Sequence, residues 1–470
     1  MGRRIRGLTL NVAAAERRRT RAHLVRWKAD LLGFLAIASV VVTVWIWARA
    51  GGFLQTFVYP QFAVESQALL TGLLAQTLMG LQVVFLARIP WVERAWGHDV
   101  LVGRHRLLGY WSFWLMVAHV ALFAISRVGR DGDGALPELY RLFIGDSWML
   151  LASLGTLMLI VVVVTSIRAA RRRIRYESWH LIHLYSYLGL VLAFPHQLFD
   201  GTHFHEMWTQ AFWWTMFIAA LVVTLVYRVW YPLRLSRRHR LTVTAVTTEA
   251  HGISAITMHG RHLDGLRVRS GQFFIWRFLG GPGWTRGHPY TISAAPRDDR
   301  LRISVAVVGD GSARAAAIPT GTRVLIEGPY GTLTDDLRRH RSLLMIAAGV
   351  GITPFVGMLD DADYAPGEAT LMYRFRSADA AAHLDELHEI AQRRTAALHL
   401  LAGPRRSSDS WLPEEVPART DEAALRDLAP NILDSDVFIC GPEQWIRLVR
   451  RTLIATGVHR KDLHSENYAW

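Results

Sequence analysis

Six stretches of this chain carry no Asp, Glu, Lys or Arg: residues 31–48, 66–87, 107–126, 147–167, 178–199 and 207–227. Each comes near the roughly 20 residues that a helix needs to cross about 30 Å of hydrocarbon. The first half therefore reads as a six-helix membrane domain, residues 31–232. Arg and Lys crowd the N-terminus (Arg17, Arg18, Arg19, Arg26, Lys28), the second connection (Arg88, Arg94, Arg104, Arg106) and the fourth (Arg168, Arg171, Arg172, Arg173, Arg175). The other connections are poor in basic residues or balance them with acids. This alternation predicts a multi-pass protein of the cell membrane with both termini cytoplasmic. Residues 1–30 read as a basic cytoplasmic N-terminus, because no signal-peptide cleavage pattern follows the basic stretch. The net charge of +14 belongs to the same pattern. With no zinc-finger or helix-turn-helix signature, no nucleic-acid partner is expected. The single cysteine, Cys440, excludes an intrachain disulfide and argues against a thiolate metal cluster.

After Tyr231-Pro232 the pattern changes. LTVTAVT (241–247), GQFFIWRF (271–278), LRISVAVV (301–308) and TRVLIEG (322–328) are short, β-rich and bounded by Gly and Pro. They predict an antiparallel β-barrel over 237–340. From 341 to 470 strands alternate with helices: SLLMIAAG, ATLMYRF and DVFICGP each precede a helical stretch, while ALHLLAG leads toward a loop-rich insertion at 407–419. That alternation predicts an α/β domain with a parallel sheet.

Histidines recur along these spans. The third span begins GRHRLLGYW, with His105 just ahead of the charge-free run and His119 within it, fourteen residues apart, which on a helix is roughly 21 Å of rise and only about 40° of rotation. His183 and His196 in the fifth are thirteen apart, roughly 20 Å of rise. Their nominal directions differ, but Pro195 can redirect the second. Runs three and five leave the cytoplasm in the same direction, so His105 should lie level with His183 and His119 with His196. Two imidazoles at each of two depths is what two hexacoordinate haems require, and a closed iron favours electron transfer. The alternative is that each histidine bonds only a neighbour or a carbonyl.

HPYTISAAP (288–296) offers the parts a flavin needs: an aromatic wall in Tyr290, a hydroxyl near the reactive nitrogen in Thr291, and a donor in His288. Pro289 and Ser293 complete this set. Gly309, Gly311 and Ser312 open a second stretch suited to phosphate. AAGVGITPF (347–355) lies at a strand-to-helix turn, where Gly349 and Gly351 permit close backbone approach to a pyrophosphate and Thr353 and Pro354 begin the helix. Arg374 and Arg376 end the next strand where an acid would otherwise hold a ribose diol. They point to the 2′-phosphate of NADPH, with NADH possible and a solvated edge as the alternative. Cys440, Gly441 and Pro442 close the last of these strands, a floor for the nicotinamide. The chain ends HSENYAW, whose terminal aromatic can stack on the flavin ring.

In this order the motifs resemble the NADPH oxidase and ferric reductase superfamily in its bacterial form, with a ferredoxin-reductase-like dehydrogenase part, over residues 30–470. His105, His119, His183 and His196 match the four haem ligands of that family. HPYT (288–291), EGPYG (327–331), GVGITPF (349–355) and CGP (440–442) match its dehydrogenase stations. The family ends in Glu-x-aromatic. Here Glu466-Asn467-Tyr468 fits but Ala469 and Trp470 follow, so Tyr468 is the expected stacking ring and Trp470 the alternative. The resemblance implies FAD, two haem b and NADPH as cofactors, with Thr291, Cys440 and Tyr468 acting where hydride is transferred. It implies electron delivery to an extracytoplasmic acceptor, oxygen giving superoxide or a ferric chelate. The rival expectation is an electron-donor subunit for a periplasmic partner protein.

Overall fold

The computed structural model describes residues 27–128, 135–174, 176–200, 206–281, 283–297, 299–417 and 419–467. Chain contacts divide the molecule into two units. Among the described residues, one holds 30–87 and 99–225, the other 27–29, 88–98 and those from 226 onward.

The first unit is helical: α1 (Trp27–Arg49), α2 (Ala63–Phe85), α3 (His98–Val128), α4 (Ser147–Ser166), α5 (Tyr176–Asp200) and α6 (Met207–Leu225). Five of the six expected spans form helices long and apolar enough to cross a membrane; α5 is not among the five. It is the run that carries His180, His183, Tyr185, Ser186, Tyr187, His196 and Gln197, and these polar side chains dilute its hydropathy. Phe34, Ile37, Leu157, Leu188 and Ile218 stand exposed, as apolar side chains do where lipid is the solvent. Polar bonds and small residues hold the inside together. The Thr43 and Thr77 hydroxyls, both fully buried, lie 2.8 Å apart between α1 and α2. The Trp47 indole donates to the Ser66 carbonyl at 3.0 Å. Asp146 caps α4, accepting from the backbone of Trp148 and Met149 at 2.7 and 3.0 Å. A Cβ on Gly155 of α4 would stand 2.6 Å from the Gly189 carbonyl of α5. Only glycine lets these two backbones approach so closely.

The second unit begins with β1 (Thr242–Ala250), β2 (Ile253–His259), β3 (Phe273–Phe278), β4 (His288–Thr291), β5 (Arg300–Ala306) and β6 (Val324–Tyr330). They form two three-stranded antiparallel sheets, ordered β1-β2-β5 and β4-β3-β6. Single antiparallel bridges join the sheets at either edge, Thr242 with Arg323 and Ile292 with Ile303. Phe274, Trp276, Ile256, Ile303 and Ile326 fill the space enclosed. β7 (Ser342–Ala348), β8 (Ala369–Arg374), β9 (Ala397–Leu401), β10 (Ser435–Gly441) and β11 (Leu463–Asn467) follow. They make one parallel sheet ordered β11-β10-β7-β8-β9. Its central strands are continuous apolar runs because both faces are covered. Helices α7 (Asp310–Ala316), α8 (Thr353–Asp361), α9 (Leu384–Arg394) and α10 (Glu443–Thr456) connect the strands.

Candidate functional site

Within the helical unit the four histidines His105, His119, His183 and His196, on α3 and α5, meet in pairs. The His105 and His183 ring centres are 6.0 Å apart, and those of His119 and His196 are 6.5 Å apart. An iron with bonds of about 2 Å to each facing nitrogen sets imidazole centres roughly 6 Å apart, so both pairs fit a bis-imidazole metal. Their outer nitrogens are engaged differently. His119 Nδ1 lies 2.7 Å from the Ala68 carbonyl, and His196 Nδ1 bonds the Ala193 carbonyl. His183 Nδ1 is 3.3 Å from the Ser166 hydroxyl, which also accepts from the Trp179 indole. A ring nitrogen that donates to a carbonyl leaves the opposite nitrogen free to ligate. His180 is exposed, outside both pairs.

In the second unit the strand order fixes where a dinucleotide can lie. From β7 the chain builds outward through β8 and β9, then crosses to β10 on the other side of β7. Ligands of open parallel sheets bind at the carboxyl ends of strands where the order reverses, here between β7 and β10. Both sequence motifs end there. Ala348 leads into a single tight turn, Gly349–Ile352, and then α8 with Pro354 in its first turn. Cys440, Gly441 and Pro442 end β10 and begin α10. Gly349 has φ of 55°, the left-handed region that favours glycine, and nothing crowds it. Gly351 is glycine for another reason: a Cβ there would stand 2.4 Å from the Cys440 carbonyl oxygen. Its missing side chain makes room for the neighbouring strand. Cys440 is fully buried, with its thiol 3.6 Å from the Glu466 carbonyl.

Arg374 closes β8, nearly buried, and donates to the Phe375 carbonyl at 2.6 Å. Burial, then the nearby Arg405 and Arg376, draws its pKa down. Arg376 is exposed just beyond. Arg405 thus joins the two arginines named from the sequence. It sits in a loop after β9, and only the fold brings it close.

HPYT is β4, paired with β3 so that Thr291 faces Phe273 and His288 faces Trp276. His288 and Tyr290 stack with centres 5.8 Å apart and planes 12° apart. Burial pushes the Tyr290 phenol up to about 12. Thr291 and Ser293 are buried, and Arg302 donates to Ser293. α7 packs close behind: a Cβ on Gly311 would lie 2.8 Å from His288 Cε1. The Ser312 hydroxyl accepts the backbone N–H groups of Val308 and Gly309 at 2.9 and 3.0 Å. Burial and then Arg286, Arg314 and Arg277 lower the His288 pKa, so this mouth is electropositive. Arg286 and Arg314 lie in a loop and a short helix, where the sequence offers no periodic signal to select them.

EGPYG ends β6. Buried Glu327 pairs with Arg228 and Arg277 at 3.3 and 3.4 Å and accepts from the Tyr330 hydroxyl at 3.1 Å. Arg88 lies over the Tyr330 ring, 4.9 Å from its centre, and pairs with buried Glu93 at 3.4 Å. The segment 88–98 therefore belongs with these strands although its sequence lies between two spans. Its signal was Glu93, an isolated acid in a basic connection. Gly331 faces the Glu466 carboxylate, 3.3 Å from where its Cβ would stand. Tyr468 and Trp470, the candidate stacking rings, lie outside the described residues, as does the outer loop 201–205.

A family model described as "Ferric reductase like transmembrane component" matches residues 71–194, and one described as "Oxidoreductase NAD-binding domain" matches 345–451. Dual oxidase 1 of Homo sapiens is 25% identical over 310 residues, covering 59% of this chain and 19% of that protein. "Probable metalloreductase AIM14" of Yarrowia lipolytica is 29% identical over 289 residues, covering 60% of this chain and 49% of that protein. The chain thus spans from a fifth to a half of the length of these relatives. A solved structure, the flavohem-like FAD/NAD binding domain of nitric oxide dioxygenase from Vibrio cholerae, is 21% identical with a TM-score of 0.38 and covers 49% of this chain and 99% of that one.

Proposed function

As a member of the NADPH oxidase and ferric reductase superfamily, this chain is one for which we propose transmembrane electron transfer from cytoplasmic NAD(P)H, through FAD and two haem b groups, to an extracytoplasmic acceptor. The observation that carries this reading is the pair of facing imidazole couples, at 6.0 and 6.5 Å, in helices of membrane length. When bound, the flavin accepts two electrons as hydride and gives them up singly to the haems.

The chain's own residues hold and orient. His105 with His183, and His119 with His196, would hold the two haems, and an iron held by two imidazoles would serve electron transfer rather than oxygen binding. Tyr290 walls the flavin, Thr291 offers a hydroxyl to its reactive nitrogen, and the basic mouth around His288 receives its pyrophosphate. Gly349, Gly351, Thr353 and Pro354 shape the turn for the nicotinamide nucleotide, above the floor made by Cys440, Gly441 and Pro442. Arg374 and Arg376, with no acid at the strand end, favour NADPH. Tyr468, or Trp470, is the ring that the sequence offers to stack on the flavin. In this reading six crossings leave both termini in the cytoplasm, and the two bridges between the three-stranded sheets support a barrel.

The test is a reduced-minus-oxidised spectrum with a haem count on the purified full chain. Two haems per chain are expected. His119→Leu or His196→Leu should lose one and keep NADPH-driven dye reduction. Purified protein replete in FAD but without a Soret band ends the reading. Superoxide yield measured against ferric-chelate reduction then selects the acceptor, and activity only with an added protein selects the partner alternative.

A further inference from the structure

The two outer-nitrogen contacts to backbone carbonyls are not made alike. Ala193 lies on the same helix as His196, three residues back. Ala68 lies on a different helix from His119, so that bond needs α2 and α3 to approach until a ring touches a backbone. What permits this is Gly72, one turn after Ala68. A Cβ there would stand 2.6 Å from His119 Nδ1 and 2.8 Å from its Cε1. Neither the ring, anchored at 2.7 Å to Ala68, nor the helix backbone is a flexible end that can step aside. The Ala68 carbonyl has a second side-chain suitor. The Thr71 hydroxyl, 2.9 Å away, divides itself between this oxygen and that of Gln67, also at 2.9 Å.

We propose that Gly72 and the Ala68 carbonyl are a cradle that positions His119: Gly72 sets where the imidazole stands, and the carbonyl sets which nitrogen faces the iron and how strongly it donates. The inference rests on the haem reading above. A donor bond from the outer nitrogen makes an imidazole a stronger ligand and favours the oxidised metal. Thr71, by sharing the same oxygen, weakens that bond. The haem held by His119 is therefore tuned from α2, a helix that supplies no ligand.

The experiment uses the purified full-length protein. Gly72→Ala should reduce haem from two per chain to one, or displace one of two low-spin EPR signals while the other stays. Gly80→Ala, on the same helix with only ordinary contact to Met216 at 3.7 Å, should keep both haems and both signals. Thr71→Val keeps the side-chain shape and removes the competing donor. It should lower the midpoint potential of one haem and leave the other unmoved. If Gly72→Ala does not fold, Thr71→Val decides alone, and two unmoved midpoints overturn the proposal. Gly72→Ala with two haems and wild-type signals also overturns it, with the electron-transfer reading intact. A wild-type protein without haem removes both.

Discussion

Single residues in this molecule are often fixed by what they leave empty. Gly351 was expected to admit a pyrophosphate, yet the space beside it holds the Cys440–Gly441 backbone. Gly351→Ala therefore forces a methyl group into a packed strand end. It should destabilise the nucleotide-binding region by about 1–3 kcal/mol, the usual range for overpacking. Thermal unfolding with and without NADPH would register this, and an unchanged melting temperature would mean that the strand end yields. Gly349, uncrowded and at φ of 55°, is the better candidate for approach by ligand. The sequence distinguishes neither case, since both glycines are equally spelled. Cys440 is similar: its place at the end of β10 was readable, but its complete burial and its neighbour Glu466 come from β11.

Elements explain which parts were legible. β7, β8 and β10 are largely apolar runs, and any strand buried on both faces announces itself in this way. β2 and β11 escaped notice because ISAITMH and LHSEN mix polar and apolar residues, and pairing with stronger neighbours makes them strands. Contacts between elements were still less visible. His383 precedes α9 with φ of 61°, an uncommon conformation for a side-chain-bearing residue. Its Nδ1 lies 3.3 Å from Glu249 of β1 and 3.2 Å from Glu386 of α9, and its Nε2 is 2.8 Å from the Ser304 hydroxyl of β5. Burial is the largest single influence on His383 and opposes its charge. The bonds to the two glutamates outweigh it together, and the pKa is raised from an ordinary 6.5. The bond to His383 in turn lowers Glu249 from 4.5 to about 2. His383 thus adds stability below its unfolded pKa and loses it as pH rises through the raised value. Glu249 adds stability above its unfolded pKa and loses it as pH falls toward about 2. Between these limits the contact is strongest, so the melting temperature should fall from pH 5.5 to 8.5. Glu249→Gln should flatten that fall, and an equal slope in both proteins would remove this cluster as its cause.

At the scale of the whole molecule, the two halves differ in what surrounds them. Apolar side chains face outward on α1 to α6, whereas the largest apolar side chains of the strand-rich unit point into shared cores. Hydropathy made that division plain, and the histidine depths made the pairing legible, because helix rise depends only on residue count. What hydropathy hides is that the border between halves is not one cut in the chain. Residues 88–98 leave the second span, lay Arg88 on Tyr330, bury Glu93, and return as α3.

That excursion bears on how the protein can be dissected. A fragment starting at Val226 lacks, among other residues, an internal stretch of eleven from its own unit, Arg88 through His98. It uncovers an aromatic ring and a hydroxyl–carboxylate pair that the intact chain keeps dry. Such a fragment should melt lower and clump more readily than one with the missing piece tethered back, a comparison that light scattering during heating can make. Equal behaviour of the two fragments would make the piece a passenger. A lower melting point without the piece would mean that this strand-rich unit is completed from two separate stretches of the chain.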